Sequence, residues 1–169
     1  MKKLYIALFS LFLCVFSLYI PTKTAYSMSY STAEVVMEVN SNRVIHSINA
    51  KDKKFMASTT KILTAITIIE NCDIDKIVIV GKETVGVEGS SIYLKAGEEL
   101  TIKELLYGLM LRSGNDCAET LAVACSGTID NFAKLMNETA SKIGAVDSNF
   151  INPHGLHDDN HYTTAYDLA

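Results

Sequence analysis

Two short polar groups carry residue types that together can do acyl-transfer chemistry. In "FMASTTKILTAITIIE", Ser58 and Lys61 stand three apart, where a polar lead-in becomes an apolar, helix-like run. Residues three apart share one face of a helix, about a turn from each other. A serine hydroxyl needs an adjacent base to be nucleophilic at neutral pH. A lysine amine can be that base where burial and neighbouring cations disfavour its charged form. Ser58 at the first turn would also lie among unpaired backbone N–H groups, which favour developing negative charge. Taken alone, the pair reads first as a helix cap followed by a solvated lysine, and only its company changes that.

The second group is "LRSGNDCAETLA". Ser113 and Asn115 are two apart in a break between two helical stretches, so both side chains can project from one tight turn into a cleft. A hydroxyl there can relay a proton, and an amide side chain can both donate to and accept from a peptide-like substrate. The plainer alternative is a helix–helix turn whose Ser113 and Asn115 merely cap the next helix.

These groups need elements to hold them. "AEVVMEV" and "RVIHSIN", separated by the turn-forming "NSN", predict a β-hairpin. Apolar residues at Ile62, Leu63, Ile66 and Ile69 predict a buried helix over 60–70. "KIVIVG" reads as a short buried strand, and "GVEGSSIYLKAGEEL" as loops and short strands at the surface. Thr101 with Glu104 forms a capping-box pattern opening a helix through about Leu111. Helical periodicity resumes after "RSGND" up to Gly127, and 130–143 forms a further amphipathic helix ended by Gly144. Thr163 with Tyr166 and Asp167 marks the start of another helix.

The chain has 169 residues, 49% of them hydrophobic and 20% charged, the balance of an ordinary globular domain. Residues 1–27 read as an export signal: a basic start at Lys2 and Lys3, an apolar run from Leu4 to Ile20, then small residues before a cut between Ser27 and Met28. An uncleaved membrane anchor is the competing reading of that run. The remainder, 28–169, carries twelve basic and nineteen acidic residues, a net charge of −7. Such a surface is a poor partner for nucleic acid, whose binding rests on neutralising phosphates. Cys72, Cys117 and Cys125 are an odd, sparse set, unlike the disulfide framework of a small secreted domain, and read as small apolar residues. His154, His157 and His161 lie in a loop-like segment that aligns no rings on one face, so no metal is assigned.

With S-x-x-K, S-x-N and "HGLHDDNHYTTAYDLA" all present, the chain resembles the N-terminal part of a serine-type D-alanyl-D-alanine carboxypeptidase, a low-molecular-mass penicillin-binding protein of the β-lactamase-like superfamily. The likeness runs from "AEVVMEVNSNRVI" to the end of the chain. It implies an α/β (α+β) fold in which an antiparallel sheet packs against a helical cluster, with the closing strands missing at the C-terminus. It also implies roles: Ser58 as acylated nucleophile, Lys61 as the base taking its proton, Ser113 as relay towards the leaving D-alanine, Asn115 as binder of the substrate amide. The implied substrate is a peptidoglycan stem peptide ending in D-Ala-D-Ala, with β-lactams as acylating inhibitors and no cofactor. The family's third motif, K-[ST]-G on a later strand, is not found after Ser113. The expectation is therefore a truncated chain, inactive alone, whose parent is the enzyme. Membrane association, through an anchor beyond Ala169, is implied by the resemblance only. Two other readings stay open. A class A-like β-lactamase would share Ser58 and Lys61, although Gly114 departs from the Asp of its S-D-N. A catalytically silent cell-wall-binding module would need no third motif.

Overall fold

The computed structural model describes residues 31–169, and Thr32–Ala169 form one compact unit. The expected export signal, 1–27, lies outside the described residues. Within the unit, β1 (Glu34–Glu38) and β2 (Arg43–Ile48) pair antiparallel as the predicted hairpin, with a register shift between Val36 and Met37. Strands β3 (Ile77–Ile79) and β4 (Glu99–Thr101) form a second antiparallel pair, Ile77 opposite Thr101. Four longer helices follow the predicted order: α1 (Thr60–Asn71), α2 (Ile102–Arg112), α3 (Asn115–Ser126) and α4 (Ile129–Ile143). A short α5 (Ala165–Leu168) closes the described chain.

Local chemistry accounts for the helix ends. Thr101 accepts from the Glu104 N–H while Glu104 accepts from the Thr101 N–H, the reciprocal box expected before α2. Gly127 and Gly144 take left-handed backbone (φ 79° and 93°) that other residues adopt at a cost, and they stop α3 and α4. Thr164, rather than Thr163, caps α5 by accepting from the Asp167 N–H.

The core lies where α1 packs against α2, α3 and α4, around Ile68, Leu105, Leu109, Leu121, Phe132 and Met136, all essentially free of solvent contact. Two expectations are corrected here. Of the predicted apolar stripe only Leu63 is buried: Ile62 and Ile69 are exposed and Ile66 is half-buried, while Thr60, Thr64 and Thr67 turn inward beside Leu63 and Ile68. Buried threonine is tolerated because its hydroxyl finds a carbonyl: Thr67 donates to Leu63 O and Thr64 to Pro153 O. Nor is "KIVIVG" a buried strand. Ile77 and Ile79 are 62% and 65% exposed, because β3 has β4 on one edge but turns those side chains outward. Cys117 is buried as expected, whereas Cys72 and Cys125 are half-buried.

Candidate active site

Ser58 does not begin α1. It sits in a single tight turn, Ala57–Thr59, immediately ahead of it. Ala57 is held at φ 45°, a left-handed conformation costly for alanine. The turn is wedged from one side by the loop after α4. A side-chain carbon on Gly155 (φ 90°) would stand 1.8 Å from Ala57 O, so only glycine lets that loop approach. The lead-in strand is tied as well: Lys54 and Thr163 exchange backbone hydrogen bonds of 2.8 and 3.0 Å. Ser58 itself remains exposed on this constrained turn.

Lys61, one turn on, is 2% exposed. Its ammonium end has three partners: Asn115 Oδ1 at 2.7 Å, the His154 carbonyl at 2.9 Å and Ser58 Oγ at 3.3 Å. Burial pushes its pKa down from 10.5 to about 8. The three partners differ in kind. Two are carbonyl oxygens, which only accept; the third is a hydroxyl, which can also donate. When Lys61 is neutral, its two N–H groups satisfy the carbonyls and its lone pair faces the Ser58 O–H.

Asn115 is equally committed. Its Nδ2 donates to Glu88 O at 2.6 Å and its backbone N–H to Ser90 O at 2.7 Å, so the amide orientation is set from the loop ahead of β4. Gly89 makes that approach possible, since a side-chain carbon there would come within 2.7 Å of Asn115 Nδ2. The structure thus brings Ser58, Lys61 and Asn115 into one hydrogen-bonded group across 54 residues of chain. Ser113 is on the same turn as Asn115, half-buried at φ 56°, but its hydroxyl makes no hydrogen bond to that group. Two hollows lie elsewhere, one along Met37, Ile143 and Tyr166, the other beside Ile62 and Leu168; neither includes Ser58 or Lys61.

Several supporting residues escape sequence reasoning. Asp116 is fully buried and pins the loop over the site: Ser91 Oγ donates to it at 2.6 Å and the Leu94 N–H at 3.0 Å. Burial alone would raise its pKa, but these bonds, with those from the Ile92 and Cys117 N–H groups, hold it below the ordinary carboxylate range. Its only mark in the sequence is an acid in the first turn of α3, a placement common to many helices. His154, whose carbonyl receives Lys61, is held in turn by its own ring. Nδ1 accepts from the Leu156 N–H at 3.1 Å, and Nε2 lies 3.3 Å from Glu119 Oε1. Burial first, then the Lys61 and His161 charges, lower its pKa to about 4, so the ring is neutral beside Glu119. His161 accepts at Nδ1 from the Ile151 N–H and meets Thr60 Oγ1 at 2.8 Å with Nε2. Both histidines therefore fasten the 149–164 loop to α1 and α3. Among the described residues no group of three His, Cys, Asp or Glu side chains is placed to hold a metal.

Comparisons with known proteins give the family. The profile of the D-alanyl-D-alanine carboxypeptidases, peptidase S11, matches residues 21–169. The D-alanyl-D-alanine carboxypeptidase DacF of Bacillus subtilis is 37% identical over 140 residues, covering 80% of this chain and 36% of that protein. DacC of Escherichia coli is 33% identical over 148 residues, covering 81% of this chain and 37% of the relative. The chain therefore spans little more than a third of the length of the curated relatives it matches. Among solved structures, the D-alanyl-D-alanine carboxypeptidase DacD of Francisella tularensis superimposes with a TM-score of 0.80 at 33% identity, over 86% of this chain and 36% of that one. Penicillin binding protein 5 of Haemophilus influenzae gives 0.76 at 29% identity, over 82% and 43%. The helical cluster with its small antiparallel sheets is thus part of the penicillin-binding-protein fold, and the chain belongs to the D-alanyl-D-alanine carboxypeptidase family, peptidase S11.

Proposed function

We propose that residues 28–169 form the N-terminal part of a serine-type D-Ala-D-Ala carboxypeptidase domain and hold its acylating residues. Because the chain covers about 36% of its relatives' length, the complete reaction is proposed for the whole protein. Residues 1–27 act as its export signal, so that the enzyme works outside the cytoplasm on the cell wall.

In this reading, Ser58 Oγ attacks the carbonyl carbon of the bond between the two terminal D-alanines of a peptidoglycan stem peptide. Its proton passes to Lys61 Nζ, and the carbonyl becomes a tetrahedral oxyanion. Collapse of that intermediate breaks the C–N bond; the leaving D-alanine nitrogen takes a proton through Ser113, and the peptide remains as an ester on Ser58. Water then hydrolyses the ester. Asn115 holds Lys61 with Oδ1 and orients the substrate amide. β-Lactams acylate the same hydroxyl, because their strained amide imitates the terminal dipeptide.

The observation that supports this most is the partner set of Lys61: two carbonyls that can only accept, and one hydroxyl, accepting here, that can also donate. A surface lysine beside a helix cap would be solvated and have no such set. The test is intact-mass spectrometry of the whole protein after exposure to a fluorescent penicillin. One covalent adduct mapping to Ser58, and none in Ser58→Ala, is expected. An adduct of equal yield in Ser58→Ala would remove Ser58 from the mechanism.

A further inference from the structure

Helices α1 and α3 run side by side in the same direction from the site. Their first turns meet through Lys61 and Asn115, and their last turns meet through two cysteines. Cys72 follows α1 directly and Cys125 is the penultimate residue of α3. Their Sγ atoms are 2.7 Å apart, closer than non-bonded sulfurs ordinarily rest. Neither is sealed in the core: both are half-buried at the edge of the apolar cluster, while Cys117 is fully buried in it. At 1.5 Å per residue, the ten or eleven residues between each site residue and its cysteine put the sulfurs about 16 Å from the Lys61–Asn115 contact.

We propose that Cys72 and Cys125 are a thiol–disulfide site, closing to an intramolecular cross-link that ties together the far ends of the two helices bearing Lys61 and Asn115. Closure needs a shift of under an ångström, since a disulfide holds its sulfurs at about 2.05 Å. The oxidant is a disulfide-bearing donor. The Cys125 thiolate attacks one donor sulfur, forming a mixed disulfide and expelling the other half as a thiolate. Cys72 sulfur then attacks Cys125 Sγ, its proton passing to the second departing thiolate. In sum, two protein thiols are oxidised by two electrons and one donor disulfide is reduced to two thiols. Burial and the Cys125 thiol hold the Cys72 thiol protonated, up to about 12, in the reduced protein; once Cys125 is in the mixed disulfide that thiol contact is gone. The extracytoplasmic setting proposed above is one in which such a bond persists. The proposal does not depend on which reaction Ser58 performs.

The experiment treats the whole folded protein with glutathione disulfide, blocks remaining thiols with an alkylating agent and maps peptides without reduction. A Cys72–Cys125 cross-linked peptide, reversed by dithiothreitol, is expected, with Cys117 still in thiol form. The oxidised protein should melt higher by roughly 5–15 °C, a rise absent from Cys72→Ser and Cys125→Ser. Full alkylation of both residues after oxidation would overturn the proposal. So would a glutathione adduct that persists on Cys125, a cross-link between two copies of the chain, or a bridge that closes only in the denatured protein.

Discussion

Two helix starts meet at the site, and they are built alike. Each is preceded by a serine after or at a left-handed residue, Ala57 before Ser58 and Ser113 itself, and each has a polar residue two or three positions on that is buried and bonded. The bonded members differ in how they are held. Lys61 is gripped from across the chain, by Asn115 and the His154 carbonyl, and reaches Ser58 within its own turn. Asn115 is gripped from the loop before β4, through Glu88 and Ser90. The serines differ as well: Ser58 is exposed and in contact with Lys61, whereas the Ser113 hydroxyl is uncommitted. The contrast teaches a division of labour. Under the proposed function, fixing Lys61 positions the base while Ser58 stays accessible to substrate.

The comparison can be broken most severely at Lys61. Replacing it with alanine should slow penicillin acylation by about 10²–10⁴-fold, the usual contribution of a positioned base, measured by stopped-flow labelling. It also strands Asn115 Oδ1 and the His154 carbonyl without their donor, so urea unfolding should show lower stability.

Next in size is the wedge beneath Ser58. Gly155→Ala forces a carbon against Ala57 O and places alanine at φ 90°. Unfolding should then be easier by on the order of 2–4 kcal/mol, with a parallel loss of labelling. Wild-type stability with intact labelling would show that the turn does not depend on this contact.

A smaller and continuous test uses pH. With the Lys61 pKa lowered to about 8, the neutral amine is the minor form at pH 7. Acylation should rise about tenfold per unit of pH below that value and level off above it. The same shift has a stability sign. Between about 8 and 10.5 the unfolded chain binds the proton and the folded one does not, so folding is favoured progressively as pH rises through that window.

The smallest effect is expected on the stability side of Ser113. Its hydroxyl supports no hydrogen bond, so Ser113→Ala should change unfolding free energy by no more than about 0.5 kcal/mol while slowing D-alanine release. A large destabilisation would mean that the second serine is structural and the two helix starts are not counterparts.

Much of this could be read one turn at a time. The hairpin, the capping box at Thr101, the glycine stops at 127 and 144, and the contact of Ser58 with Lys61 all involve neighbours within a few residues. Such features follow from backbone sterics, caps and periodicity, which local sequence carries. The inward face of α1 did not, because threonine counts as polar until a carbonyl such as Pro153 O, 89 residues away, receives its hydroxyl. The outward isoleucines of β3 failed for the related reason that an apolar run does not say which side of a strand is covered.

What the sequence by itself determined is therefore the cast of residues and the helices that carry them. Only the tertiary structure decided that Lys61 is dry, that its donors go to Asn115 and to a carbonyl 93 residues distant, and that Cys72 faces Cys125. The physical reason is that desolvation and hydrogen-bond partnership belong to the packed environment of a side chain. That environment is made of segments far apart in the chain, which no local pattern can specify.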